Sequence, residues 1–292
     1  MPDLAKLDYV ARVNRAIDHI TKHLADPLPL EEVARVAAFS PYHFHRIFKS
    51  LVGETLHGFV KRVRLERALH LMAHDGASLT DIALRCGFSS SSDFSRSFRA
   101  ELGVPPSVFD LAAYQRTRRA ALTMQASLPP GENPDGFVVN IRALPARRVA
   151  YLRVLDPYQG GVVPAVERLV AWAKERGLAG GRWLGYQWED PELVPLELCR
   201  YDVGVVVPDD ARLDGDVSVT TFPAMTVAEI QMAGDLALEL RALDYLYKTW
   251  LPRSDHVPDH QPGFEVWRGL PFEHGSEHFE LDLHLPITRY SE

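Results

Sequence analysis

Phe44-His-Arg-Ile-Phe-Lys49 returns as Phe94-Ser-Arg-Ser-Phe-Arg99, fifty residues later. Ahead of each copy stands a second matching pair. Leu30-Glu-Glu-Val-Ala34 recurs as Leu79-Thr-Asp-Ile-Ala83 at a shift of 49, so the one-residue difference falls in a turn or at a helix start. Within the first copy, Phe44, Ile47, Phe48 and Leu51 follow the i, i+3, i+4, i+7 spacing of a helix with one buried face. Ser40-Pro41 offers an N-cap hydroxyl and a proline at the first helical position. Ser78-Leu-Thr-Asp81 fits a capping pattern, and Gly87 can take the positive φ that a tight turn requires. Each unit therefore predicts a short helix, a tight turn and a second helix. The second helix leaves Tyr42, His43, His45, Arg46 and Lys49 outward in the first copy. In the second copy it leaves Ser91, Ser92, Ser95, Arg96 and Arg99 outward.

Such a face suits a DNA major groove, where arginine pairs bidentately with guanine and Ser or His makes shorter contacts. The plainer alternative is the solvated surface of a helical bundle, but arginine at matching places, Arg46 and Arg96, favours DNA. Charge agrees. The 292-residue chain carries a formal −7, yet residues 1–124 hold 17 Lys+Arg against 13 Asp+Glu, and residues 125–292 hold 15 against 26. A basic half joined to an acidic half points to two different partners. The seven histidines of the first half have spacings that assemble no plausible ligand set, so no metal or cofactor is expected. Cys86 and Cys199 form neither a metal pair nor a disulfide framework. With no secretory signal and no apolar run of about 20 residues, a cytoplasmic protein is expected.

The boundary is predicted at Thr123–Gly136, rich in proline and glycine: residues 1–122 form an all-α domain, 123–136 a linker and 137–292 an α+β domain. This second half is also duplicated. Pro145-Ala-Arg-Arg-Val-Ala150 matches Pro223-Ala-Met-Thr-Val-Ala228 at a shift of 78, which also carries Trp172 onto Trp250, Gly185-Tyr186 onto Gly263-Phe264, and Val205–Pro208 onto Leu283–Pro286. Each copy reads strand, helix, strand, strand, and two copies about a pseudo-twofold axis would close a groove. In Gly263-Phe-Glu-Val-Trp-Arg268, alternation sends Phe264 and Val266 one way, suited to packing under a helix, and Glu265 with Trp267 the other. The repeat partner sends Gln187 and Glu189 to the equivalent face. A carboxylate beside an aromatic ring is a way to hold an organic cation, although alternation alone favours a plain solvent-facing glutamate.

Residues 10–115 resemble the DNA-binding domain of AraC/XylS-family transcription regulators. The likeness rests on Arg64-Leu-Glu-Arg-Ala68, Gly87-Phe88-Ser89, Phe94-x-Arg96-x-Phe98-Arg99 and Gly103-Val-Pro-Pro-Ser107. It implies two recognition helices in successive major-groove segments, with base contacts from Tyr42, His45, Arg46, Ser91, Ser92 and Arg96. Phosphate contacts would fall to Lys49 and Arg99. Ala38 stands where glycine is common, so that turn is expected to be slightly strained or differently shaped, and the run of four serines implies weaker direct readout by the second helix, with Arg96 carrying most of it.

Residues from 137 onward resemble GyrI-like effector-binding domains, through Arg200-Tyr-Asp-Val203, Leu246-Tyr-Lys-Thr-Trp-Leu-Pro252 and Pro262-Gly-Phe-Glu-Val-Trp267. That resemblance implies a small aromatic or cationic effector held by Glu265, with Trp267, Trp188, Tyr186 and Tyr158 as walls. Trp267 replaces a frequent tyrosine, and Asp156-Pro-Tyr158 departs from the usual glycine-proline-tyrosine turn. The combined expectation is a transcription activator, not an enzyme, that binds promoter DNA, an effector and RNA polymerase, with no membrane partner. The alternatives are a ring-opening hydrolase built on Glu265 and Trp267, and a domain that sequesters toxic compounds.

Overall fold

The structure is a computed structural model that describes residues 4–74, 76–121, 128–191, 193–259, 261–275 and 277–289. It divides into two compact units, Met1–Thr117 with Leu213–Ser218, and Arg118–Arg212 with Val219–Glu292. Of the expected linker, residues 123–127 lie outside the described residues. Leu128 is buried in the second unit, its N–H donating to Asp244 at 2.8 Å, and the Gly131 N–H donates to the Thr249 hydroxyl at 2.9 Å. Among the described residues no helix is long and apolar enough to cross a membrane.

The first unit is helical: α1 Leu4–Lys22, α2 Leu30–Val36, α3 Pro41–Val52, α4 Leu56–His74, α5 Leu79–Arg85, α6 Ser91–Leu102 and α7 Leu111–Ala121. Phe44 and Phe48 of α3 are fully buried with Val33, Ala34, Ala37 and Phe59, as the helical spacing requires. In the second copy Phe94 and Phe98 pack with Phe88 and Phe109 in a chain of ring contacts 5.1–5.4 Å apart. The caps match the sequence signals: Ser40 accepts from the His43 N–H, Ser78 from Asp81 and Ser90 from Asp93.

The two turns differ as their residues dictate. Gly87 takes φ 81°, and a Cβ there would lie 2.5 Å from the Leu24 carbonyl oxygen, which also accepts from Arg64 Nε at 3.0 Å. Ala38, its counterpart at the 49-residue shift, is forced to φ 54°. A left-handed non-glycine residue costs about 1–2 kcal/mol. Arg12 of α1 holds this turn in place by donating to the Ala37 and Ala38 carbonyls, with its guanidinium 3.5 Å from the Phe39 ring centroid.

The second unit holds β1 Val139–Leu144, β2 Arg147–Leu155, α8 Val162–Glu175, β3 Trp183–Gln187, β4 Arg200–Val206, β5 Ser218–Phe222, β6 Met225–Gly234, α9 Leu236–Tyr245, β7 His256–Pro258, β8 Phe264–Trp267 and β9 Phe279–Arg289. One sheet runs β1-β6-β9-β8-β3-β4-β2-β5, with β7 added on β9. The order corrects the expected strand-helix-strand-strand repeat. An extra strand precedes each copy, and the two are exchanged: β1 pairs with β6 of the second copy, and β5 with β2 of the first. Two residues join β1 to β2, and two join β5 to β6, a reach of about 10 Å. The two ends of the sheet are therefore neighbours, and the sheet curls around Val149, Tyr151, Leu184, Tyr186, Phe222, Met225, Val227 and Phe264. Outside the curl, α8 packs on β2 and β4, and α9 on β6 and β9. The central antiparallel pair β3·β8, which sets Gly185 opposite Glu265, lies between them.

Ala38→Gly is expected to stabilise the first unit by about 0.5–1 kcal/mol, while Gly87→Ala destabilises it by more than that. Denaturant unfolding followed in the helical unit checks both signs; a loss of stability in Ala38→Gly would contradict the strained-turn account.

Candidate functional site

In the first unit every residue expected at the DNA face is exposed: Tyr42, His45, Arg46 and Lys49 on α3, and Ser91, Ser92, Arg96 and Arg99 on α6. Ser95, expected outward, is half-buried. Arg46 donates to the Tyr42 hydroxyl at 3.1 Å, so the two side chains stand side by side one helical turn apart. Arg96 is 80% exposed and lies 3.8 Å from Asp93, whose carboxylate is occupied by the Ser89 hydroxyl at 2.9 Å. Both arginines are thus free to leave their neighbours for a stronger acceptor.

In the second unit Glu265 and Trp267 face the helices, and Phe264 and Val266 face the inside of the curl. This reverses the expectation that Phe264 and Val266 pack under a helix: alternation separates the pairs, but the curl decides which pair meets α9. Glu265 is 4% exposed. Its Oε2 accepts from the Tyr201 hydroxyl at 2.8 Å and its Oε1 from the Gln187 amide at 3.3 Å, and Trp267 also hydrogen-bonds to it. A Cβ at Gly185 would overlap the Tyr201 hydroxyl and sit 2.7 Å from Glu265 Oε2, so only glycine leaves room for this contact.

The remaining partner of Glu265 is a second carboxyl, Glu239 of α9, which is 3% exposed. Two carboxyls side by side in a space closed to water resist ionising together, so each keeps its proton to higher pH than a free glutamate. Burial drives the ionisation of both above the ordinary carboxylate range, and for Glu239 the charge of Glu265 adds to it. Glu239 stands in the first turn of α9, where the helix dipole favours a negative charge; that effect is worth under about 2 kcal/mol and does not offset several kcal/mol of desolvation. Tyr201 is raised by its burial and by the neighbouring Glu265.

Of the expected wall residues, Trp267 lies beside Glu265 and packs against Phe272 and Phe279 at 4.8 and 5.5 Å. Tyr158 is 45% exposed, and desolvation raises its hydroxyl, with smaller contributions from Cys199, Asp190, Glu239 and Glu265 in that order. It follows Asp156, which takes φ 51° in the turn where the resemblance expects glycine. Tyr186 and Trp188 do not join this group. Tyr186 is buried inside the curl, stacked on Phe222 at 4.3 Å and Phe264 at 5.1 Å, with its hydroxyl accepting from Arg147. Trp188 donates to Asp202 at 2.7 Å, a carboxylate already held by Arg153 at 2.6 Å. Both were misplaced because they alternate with Gln187 and so point to the opposite face. Glu189, expected beside Gln187, instead accepts from Arg200 Nε at 2.6 Å. Glu239 and Tyr201 were not anticipated. For Glu239 the signal was present, since 239, 242 and 246 form one buried stripe of α9 and its extension.

Fold and site together define a two-part protein, with a double helix-turn-helix unit ahead of an α+β unit that buries a pair of carboxyls. Residues 33–111 match a helix-turn-helix domain, and residues 137–288 match the GyrI-like small molecule binding domain. The chain belongs to the GyrI-like family, with an AraC-type helix-turn-helix domain preceding that module. It is similar to the HTH-type transcriptional activator RhaS of Klebsiella pneumoniae (strain 342), with 41% identity over 96 residues. That match covers 33% of this chain and 34% of RhaS, so the chain spans about a third of the length of the curated relatives it matches. Among solved structures, the DNA-binding domain of AdpA in complex with a target DNA shares 29% identity, with 37% of this chain and 96% of that chain covered and a TM-score of 0.34. SAV2435 bound to tetraphenylphosphonium shares 12% identity over 52% of this chain and 94% of that one, with a TM-score of 0.37.

A carboxyl whose ionisation is shifted upward on folding contributes stability below the ordinary carboxylate value and loses it as pH rises through the shifted value. Glu239→Gln removes the repulsion and keeps a hydrogen-bonding group. It is expected to stabilise the second unit by about 1–3 kcal/mol at pH 8 and to leave it nearly unchanged near pH 4. Thermal unfolding at the two pH values checks this; equal effects at both would contradict the upward shift of the carboxyl pair.

Proposed function

We propose that this protein is a sequence-specific DNA-binding transcription regulator, acting as an activator, whose GyrI-like domain senses an aromatic cation. The observation that carries the sensing part is the buried Glu265 carboxyl, paired with Glu239 and set beside Trp267. An ionised carboxylate so enclosed is costly, and a cation that enters offsets that cost by charge pairing and by attraction to the ring face. The DNA part is supported by the exposed Arg46 and Arg96, each at the same place on the second helix of its repeat. The activator role is supported by the likeness to RhaS, and contact of the DNA-bound protein with RNA polymerase follows from that role. A regulator of this kind works in the cytoplasm. An effector changes DNA binding only if it has different affinities for two states of the protein.

Selection of bound fragments from genomic DNA supplies the operator, and fluorescence anisotropy on it supplies the numbers. Arg46→Ala and Arg96→Ala are each expected to weaken specific binding by about 1–3 kcal/mol, relaxing preference at one position of the site. Lys49→Ala and Arg99→Ala are expected to weaken binding to all sequences alike and to lower the salt slope by about one each. A lipophilic cation such as tetraphenylphosphonium should alter operator affinity in the natural protein and not in Glu265→Gln. Its own affinity should rise with pH above the ordinary carboxylate range, as the pair sheds protons. Binding of the cation that is unchanged in Glu265→Gln would overturn the sensing assignment.

A further inference from the structure

His19 and His23 lie one turn apart at the end of α1, and that turn is intact, since the His23 N–H donates to the His19 carbonyl at 3.0 Å. Their rings stand 4.6 Å apart, centroid to centroid, and 37° from parallel. Each ring is held at one nitrogen by a carboxylate from beyond the helix. Glu32 of α2 lies 3.1 Å from His19 Nε2, and Asp26 of the α1–α2 turn lies 3.1 Å from His23 Nδ1. A carboxylate only accepts, so in the neutral ring the nitrogen facing it carries the proton and the other keeps its lone pair. Those other nitrogens, His19 Nδ1 and His23 Nε2, make no hydrogen bond among the described residues. Two imidazoles at i and i+4 on one helix face are a ligand pair for a divalent metal. A carboxylate on the second nitrogen is the usual means of orienting such a ligand. Two nitrogens each about 2 Å from one ion lie no more than about 4 Å apart, a separation these neighbouring rings reach by rotation.

We propose that His19 and His23 form a two-point site for a first-row divalent metal ion, with Glu32 and Asp26 orienting the rings and water completing the coordination. No group of three or more donors is assembled for a metal among the described residues, so two imidazoles are all that the protein supplies directly. This departs from the expectation of no metal. A four-residue spacing offers two donors and no third, and the carboxylates that orient them come together with the rings only in the fold. Imidazole suits zinc, nickel and copper, with Cu²⁺ held most tightly. The place of the site gives the ion a consequence. Arg64 of α4 donates to the Leu24 carbonyl at 3.0 Å and to the Asp26 carbonyl at 2.8 Å, and Gly87 of the second repeat lies close against Leu24 and Ala25. A metal that ties His19 to His23 therefore steadies the turn on which the second repeat is seated. The inference is independent of the cation-sensing assignment of Glu265.

The test adds one equivalent of Cu²⁺ to the full-length protein and follows it by electron paramagnetic resonance and by competition with a chelator. The natural protein is expected to show couplings from two imidazole nitrogens. His19→Gln and His23→Gln are each expected to show one, with affinity lower by about tenfold or more. Asp26→Asn and Glu32→Gln should keep both nitrogens and weaken binding by about tenfold. The thermal midpoint of the helical unit should rise with Cu²⁺ in the natural protein and stay unchanged in His23→Gln, whose half-exposed ring can be replaced without loss of the fold. A spectrum and an affinity that survive both histidine replacements, or a midpoint that rises equally in His23→Gln, would overturn the site. Full affinity in both carboxylate variants would overturn the orienting role of Glu32 and Asp26.

Discussion

Glu239 and Glu265 meet in a space closed to water, and most of the second unit can be understood as what allows them to meet there. Among the described residues neither carboxyl has a cationic side chain paired with it. Burial disfavours charge in that position, and the neutral donors Tyr201, Gln187 and Trp267 offset part of this at Glu265. Elsewhere in the same unit, buried acids are neutralised by arginine, as in Asp202 with Arg153 and Glu189 with Arg200. The contrast separates ion pairs that are already satisfied from a carboxyl pair without a cationic partner among the described residues, the feature on which the proposed sensing role rests.

Duplication supplies the geometry. The two copies meet along β3 and β8, and the register there sets Gly185 across from Glu265. Because glycine occupies that position, Tyr201 on the next strand can reach over to the glutamate. The two copies are not chemically equal: the 78-residue shift that relates them places Gln187 opposite Glu265 in function but gives α8 no acid equivalent to Glu239. One symmetric scaffold thus carries one asymmetric site. The exchanged first strands, β1 on β6 and β5 on β2, tie the copies together and curl the sheet, so that the inner face holds an apolar and aromatic cluster with Arg147 on the Tyr186 hydroxyl, while the Glu239–Glu265 pair lies on the helix side.

Much of this was legible before any coordinates. The helical spacing of Phe44, Ile47, Phe48 and Leu51, the caps at Ser40 and Ser78, and the strain at Ala38 follow from local rules that tertiary contacts did not override. The alternation that separates Glu265 from Phe264 was equally plain. The side facing the helix was not, because it depends on how the sheet curls. Tyr186 and Trp188 were assigned against information already in hand. The same repeat that aligns Tyr186 with Phe264 places both on one face, and Trp188 then falls with Val266. Strands β1 and β5 escaped because Val139–Leu144 is largely solvent-exposed and its polar and apolar residues carry only a weak pattern. Glu239 has no motif around it to single it out, although its spacing from Ala242 and Leu246 marks it as inward-facing.

The most direct test of the carboxyl pair is a titration of the two side-chain carboxyl carbons by nuclear magnetic resonance, with Glu239→Gln used to assign them. The account predicts that both ionise above the usual carboxylate range, in linked steps, and that removing Glu239 brings Glu265 down. Two independent titrations near the ordinary glutamate value would contradict it.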